Sequence, residues 1–162
     1  MILKTPRQLA DMLITAGIAS SDTVLGCTPS DVLNIEQHFQ IKLPESYKSF
    51  LLTMGRQAGE FNDDFYFLVE SIEDLISMRE NAESVIREFA GYELKQSDFV
   101  FLARYSVTFL WFDTAAGPEP PVMLMEDGAD EVRELAPTFL DWLNTDVAYE
   151  LEYAAEAASS SS

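Results

Sequence analysis

The sequence predicts a single α+β domain, a mixed or mostly antiparallel twisted sheet with helices packed against it. Three observations carry that expectation. Apolar residues recur at helical spacing up to residue 55, and again from residue 137 onward. Between residues 99 and 125, short apolar runs bounded by turn residues replace that spacing. Hydrophobic residues make up 48% of the 162 positions and aromatics 12%. A chain of that size buries roughly 70% of its unfolded surface. The domain is expected to span residues 1–158, with the serines at 159–162 as a flexible tail.

Each element follows from local chemistry. Thr5 and Pro6 begin a first helix carrying Leu9, Met12, Leu13 and Ala16 on one face, and Gly17 stops it. Lys4 and Arg7 ahead of apolar residues faintly imitate a signal peptide, but Asp11 interrupts the would-be apolar segment. After Gly26, Thr28 caps and Pro29 opens a second helix, with Asp31 placed for a capping box and Val32, Ile35 and Phe39 on its inner face. Pro44 opens a third, with Tyr47, Phe50, Leu51 and Met54 inward and Gly55 as its stop. Residues 65–69, aromatic and apolar, read as a strand. Ser71 and Asp74 open a helix that runs to Gly91, with Ile72, Leu75, Ile76, Ala82, Val85, Ile86 and Phe89 inward and a Glu83–Arg87 pair. Residues 99–103 and 107–112 form a hairpin around Arg104, Tyr105 and Ser106, and their apolarity implies central strands covered on both faces. A Pro- and Gly-rich loop at 115–120 precedes a strand at 121–125. Pro137 then starts a closing helix carrying Phe139, Leu140, Trp142 and Leu143, continuing past Val147 and Leu151.

Charge narrows the function. The net charge is −18, and residues 61–162, with 22 acids and 5 bases, carry −17 of it. Such a chain is ill suited to grip phosphate backbones, so no direct nucleic-acid partner is expected. The asymmetry would attract a cationic surface, although a solvated face serving only solubility reads the same way. Loop ends carry recognition residues disproportionately. The expected partner-binding residues are therefore Asp63 and Asp64 before one strand, and Glu126, Asp127, Asp130 and Glu131 after another.

Enzymatic patterns are missing from the sequence, so neither catalytic residues nor a metal or cofactor is expected. His38 is the one histidine, which leaves no metalloprotease motif, and it reads as a surface or boundary residue. Cys27 is the one cysteine, so no internal disulfide forms, and it reads as a small packing residue before the Thr28 cap. The 7 glycines are scattered, with no phosphate loop among them. With 28 acids, neighbouring carboxylates arise by chance and give glycosidase chemistry no specific support. No apolar run approaches the ~20 residues of a membrane span, and a cytoplasmic, membrane-free protein is expected.

Two stretches resemble a known family. Glu36 on a helix, then Leu43 and Pro44 leading into a helix with Tyr47 and Phe50 that ends at Gly55, is similar to the SUKH superfamily. Gly26 stands at the start of that text. Phe112-Asp113, Pro120-Pro121-Val122 and the segment 135–143 with Trp142 occupy the family's later positions. The resemblance covers residues 26–143. It includes the Smi/Knr-like cell-wall regulators of fungi and the immunity proteins of bacterial polymorphic toxin systems. It implies binding rather than catalysis: an immunity protein that neutralises a cognate, basic protein toxin, a nuclease being one candidate, by covering it with an acidic surface. The alternative it implies is a non-enzymatic regulatory scaffold or adaptor. Glu36 would then be a structural hydrogen-bond acceptor, and Leu43, Pro44, Tyr47 and Phe50 would support the fold.

Overall fold

A hydroxyl cap followed by proline starts each of the first two helices. Thr5 caps α1 (Pro6–Thr15) and Thr28 caps α2 (Pro29–Phe39), each in a reciprocal capping box, with Gln8 and Asp31 respectively. Gln40 ends α2 in the left-handed conformation at φ 54°. Pro44 precedes α3 (Glu45–Met54), which buries Tyr47, Phe50, Leu51 and Met54. Two short strands, β1 (Val24–Leu25) and β2 (Gln57–Ala58), pair antiparallel beside it. The computed structural model describes residues 2–63 and 65–160.

A second sheet dominates the later part of the chain. It contains β3 (Asp98–Arg104), β4 (Thr108–Asp113), β5 (Val122–Met125) and β6 (Arg133–Ala136), all antiparallel and in chain order. Before it comes α4 (Ile72–Ala90), capped by Ser71, and after it α5 (Phe139–Ser160). Side chains alternate across a strand. Phe112 therefore meets Tyr47 of α3 at 5.4 Å between ring centroids, while Trp111 meets Tyr92, just after α4, at 5.8 Å. Helices thus cover both faces. The core between α3, α5 and the sheet is largely aromatic: Tyr47, Phe50, Phe99, Phe101, Phe112, Phe139 and Trp142 are mutually packed and buried.

Several expectations are corrected. Residues 65–69 are not a strand: Phe65 N–H donates to Asn62 O and Phe67 N–H to Phe65 O, so the chain turns repeatedly. Only Tyr66 pairs, with Ala103. The segment is aromatic because Phe67 is driven into the core, stacked 4.7 Å from Phe50. The strand β3 is an edge strand rather than a central one, its edge partly closed by that Tyr66 bridge. The buried stripe of α4 runs through Leu75, Met78, Ala82 and Ile86, leaving Phe89 exposed. The last helix begins after Thr138, whose hydroxyl accepts from Asp141 N–H, one residue beyond the proline. Of the four serines at the end of the chain, Ser159 and Ser160 are the last residues of α5, and residues 161–162 lie outside the described ones.

Candidate protein interface

The acidic residues gather because an antiparallel sheet brings alternate turns to one end. The β3–β4 turn places Tyr105 and Ser106 in left-handed conformations, φ 53° and 57°, with Val107 N–H bonded to Arg104 O at 3.2 Å. This is the geometry for which hairpins usually select Asn-Gly. The loop between β5 and β6 lies beside it, Asp127 N–H donating to Thr108 Oγ1 at 3.0 Å. Within that loop Glu126, Asp127, Asp130 and Glu131 are all exposed, on a turn made by Ala129 N–H to Glu126 O and by Gly128 at φ 82°. Glu126 pairs loosely with Arg133 at 3.4 Å, an exposed contact of little energetic weight. Asp127, Asp130 and Glu131 have no ion-pair partner among the described residues.

The Tyr66–Ala103 bridge brings the loop between β2 and α4 to the same end of the sheet. Asp63 is exposed on that loop, while Asp64, expected beside it, lies outside the described residues. Five of the six expected partner residues are therefore described, and all five stand at one end.

Two residues there were not foreseen. Tyr66 and Tyr105 expose 64% and 74% of their surface, large aromatics left in water where binding hot spots favour such side chains. Phe65 lies beside them, the Arg104 guanidinium 4.3 Å over its ring and Tyr105 edge-on at 6.0 Å. The available sequence signal was Tyr-Ser in a two-residue hairpin turn, where a purely structural turn favours glycine.

Beneath this end lie two partly buried carboxylates, Asp146 and Glu150. Asn62, buried and left-handed at φ 52°, donates its amide to Asp146 Oδ2 at 2.6 Å. Burial pushes the Asp146 carboxyl above its ordinary range, against the Asn62 bond and the nearby Arg104. Burial, and then the charges of Asp146 and Asp63, push Glu150 upward too. Negative charge here exceeds what the local cation offsets.

A groove opens beside the same loop. Its walls are the turn after α1, the segment between β2 and α4, and the first turns of α4. Glu60 N–H bonds Ile18 O at 2.9 Å and Gly59 N–H bonds Thr23 O at 3.2 Å, which locks two walls together. Gly59, at φ 62°, is required: a Cβ would sit 2.4 Å from Ile18 O. The groove measures about 720 Å³ and shares Ile18, Glu60 and Asp63 with a second hollow of about 540 Å³ along α5.

The residues selected by the family resemblance lie elsewhere. Glu36 Oε2 accepts from Leu43 N–H at 2.8 Å, with Lys48 at 3.8 Å. Pro44 sits at the start of α3, where Glu119 accepts from both Ser46 N–H and Ser46 Oγ. Gly26 lies against the last turn of α3, Gly55 caps that helix, and Tyr47, Phe50 and Trp142 are core. Asp113 pairs with Lys95 at 2.7 Å, at the end of the sheet remote from the acidic loops, and Pro121 directly precedes β5. The bonds of Glu36 and Asp113 thus join separate segments of the chain.

Cys27 is buried, and burial raises its thiol's pKa, the opposite of an activated nucleophile. His38 is exposed on α2. Among the described residues no group of three His, Cys, Asp or Glu side chains is arranged to hold a metal ion. No helix there is long and apolar enough to cross a membrane.

The model of the SMI1 / KNR4 family (SUKH-1) matches residues 26–145, spanning α2 through the first turns of α5. No curated protein sequence matches the chain.

Proposed function

This chain belongs to the SMI1 / KNR4 family (SUKH-1), and we propose that it is an immunity protein, one that binds a basic protein toxin and neutralises it by occlusion. The observation that carries this reading is the end of the sheet where Asp63, Glu126, Asp127, Asp130 and Glu131 stand exposed around Tyr66 and Tyr105. Aromatic anchors ringed by charge are the usual anatomy of a tight protein interface. A cationic toxin would be attracted by the −17 carried by residues 61–162, and the loop acids at this end are the exposed part of that charge flanked by aromatics. If the toxin is a nuclease, the loop carboxylates would stand where substrate phosphates bind. The protein acts in the cytoplasm without a cofactor, and no catalytic step belongs to this reading.

The test uses the product of the gene next to this one as the toxin. Replacing Asp63, Asp64, Glu126, Asp127, Asp130 and Glu131 together by Asn or Gln should weaken binding, flatten its salt dependence and abolish protection of cells. Unchanged affinity would reject the interface. Capture of an endogenous protein by the intact chain, with no affinity for the neighbouring gene product, would favour a regulatory scaffold instead.

A further inference from the structure

We infer that the groove beside Asp63 is a binding site for an extended, lysine- or arginine-bearing segment of the partner protein. The inference rests on the reading of this end of the molecule as a protein interface, and it assigns the groove a chemistry of its own. Shape comes first: two neighbouring hollows share Ile18, Glu60 and Asp63 in their linings and extend from the first turns of α4 to the exposed face of α5. That form suits a strand-like segment better than a compact small molecule.

Charge decides the occupant. Glu60, Asp63, Glu70 and Asp74 border the first hollow and Glu150 the second. Among the described residues the one cation on the lining, Arg56, is already spent: it pairs with Asp31 at 2.9 Å and donates to Glu70 O at 3.0 Å. Glu60, Asp63, Asp74 and Glu150 have no ion pair among the described residues. Asp63 and Glu150 instead repel one another across the second hollow, a cost that a bound ammonium or guanidinium would relieve. Between the acids the lining is mixed, with apolar Phe67, Val69, Leu75 and Met78 contributing beside polar groups. Lysine and arginine match such a surface, burying an aliphatic stem while the charged head reaches the rim. Tyr66 and Tyr153, largely exposed at the two hollows, offer ring faces to the same cations.

The experiment uses a fluorescein-labelled peptide of alternating lysine and alanine, titrated with the full chain at low salt and followed by anisotropy. Wild-type protein should bind it. The pair Glu60→Gln and Asp63→Asn should weaken binding about tenfold, the loss of two partly exposed ion pairs. Ser20→Trp places an indole at the groove lining without altering charge, and should weaken binding as well. The pair Glu80→Gln and Glu88→Gln, exposed on α4 and outside both the groove and the acidic end, should leave peptide affinity unchanged. Thermal melts establish that each variant is folded. No binding by wild type, equal weakening by both acidic pairs, or no effect of Ser20→Trp would each overturn the inference. The peptide reports the groove alone, whereas toxin binding by the loop variants reports the interface, so failure of one is separable from failure of the other.

Discussion

Glu36 closes the corner between α2 and α3: its Oε2 accepts the N–H of Leu43, seven residues further on, at 2.8 Å. Leu43 is buried, so without this acceptor its amide would be left unsatisfied in the interior. Orphaning a buried donor costs ~1–3 kcal/mol. Glu36→Ala should lower the urea midpoint by a corresponding amount. Glu36→Gln, which retains a carbonyl oxygen in place, should recover most of the loss. Equal destabilisation by both variants would show that the Lys48 contact, and not the amide bond, holds the corner.

Gly26 offers a sharper test of packing. A Cβ there would sit 1.8 Å from the carbonyl oxygen of Leu52, while the next residue, Cys27, donates its N–H to Leu51 O at 2.7 Å. Neither backbone can yield without breaking that bond or fraying the end of α3. Gly26→Ala should therefore destabilise by at least the ~1–3 kcal/mol typical of overpacking. Calorimetric melting would measure it. A melting temperature equal to wild type would mean that the two backbones separate easily.

Two carboxylates should respond to pH in opposite directions. Asp31 is held at about 2, below its ordinary 3.8, first by the Thr28 N–H and then by the Arg56 guanidinium. Its contribution is present above 3.8 and lost as pH falls through about 2. The stability gap between wild type and Asp31→Asn should accordingly narrow over that interval. Asp146 is raised by burial, so its contribution is full below 3.8 and lost as pH climbs through its folded value. Asp146→Asn keeps an oxygen for the Asn62 amide and should be at least as stable as wild type at neutral pH. The difference should vanish in acid. Denaturation series across pH would reveal either sign reversed.

Association kinetics test the charge argument. Long-range attraction acts before the carboxylates lose water, so a steered encounter runs about 10–1000 times faster than a neutral one. Desolvation on docking makes affinity a poorer reporter of the same field. With the toxin as partner, stopped-flow mixing should show the on-rate falling steeply as salt rises, with little change in the off-rate. A flat on-rate would reduce the net charge of −18 to a solubility device.

Helix boundaries were legible wherever neighbours in sequence make the deciding bonds. Thr5 with Gln8, Thr28 with Asp31 and Ser71 with Asp74 all cap within three residues, and the hairpin at Tyr105-Ser106 closes across a single turn. The inner face of α3 followed from spacing alone, because Tyr47, Phe50, Leu51 and Met54 share one stripe at any orientation of the helix. Residues 65–69 misled because an aromatic run looks alike whether it pairs as a strand or folds irregularly to seat Phe67 beside Phe50. The strand β6 was missed for the opposite reason: Arg133, Glu134 and Leu135 carry no strand pattern and are extended only because β5 lies alongside.

What the sequence determined by itself was therefore the local grammar, the fold class and the acidity of the later chain. Its motifs also carried the family resemblance. Only tertiary structure decided that Asp63 and the β5–β6 loop share one end of a sheet, that Tyr66 and Tyr105 stand exposed there, and that a groove opens beside them. Capping bonds and turn sterics act over three or four residues and are written in adjacent letters. The acidic end depends on strand register and on the bridge between Tyr66 and Ala103, whose partners are set by packing of the whole core.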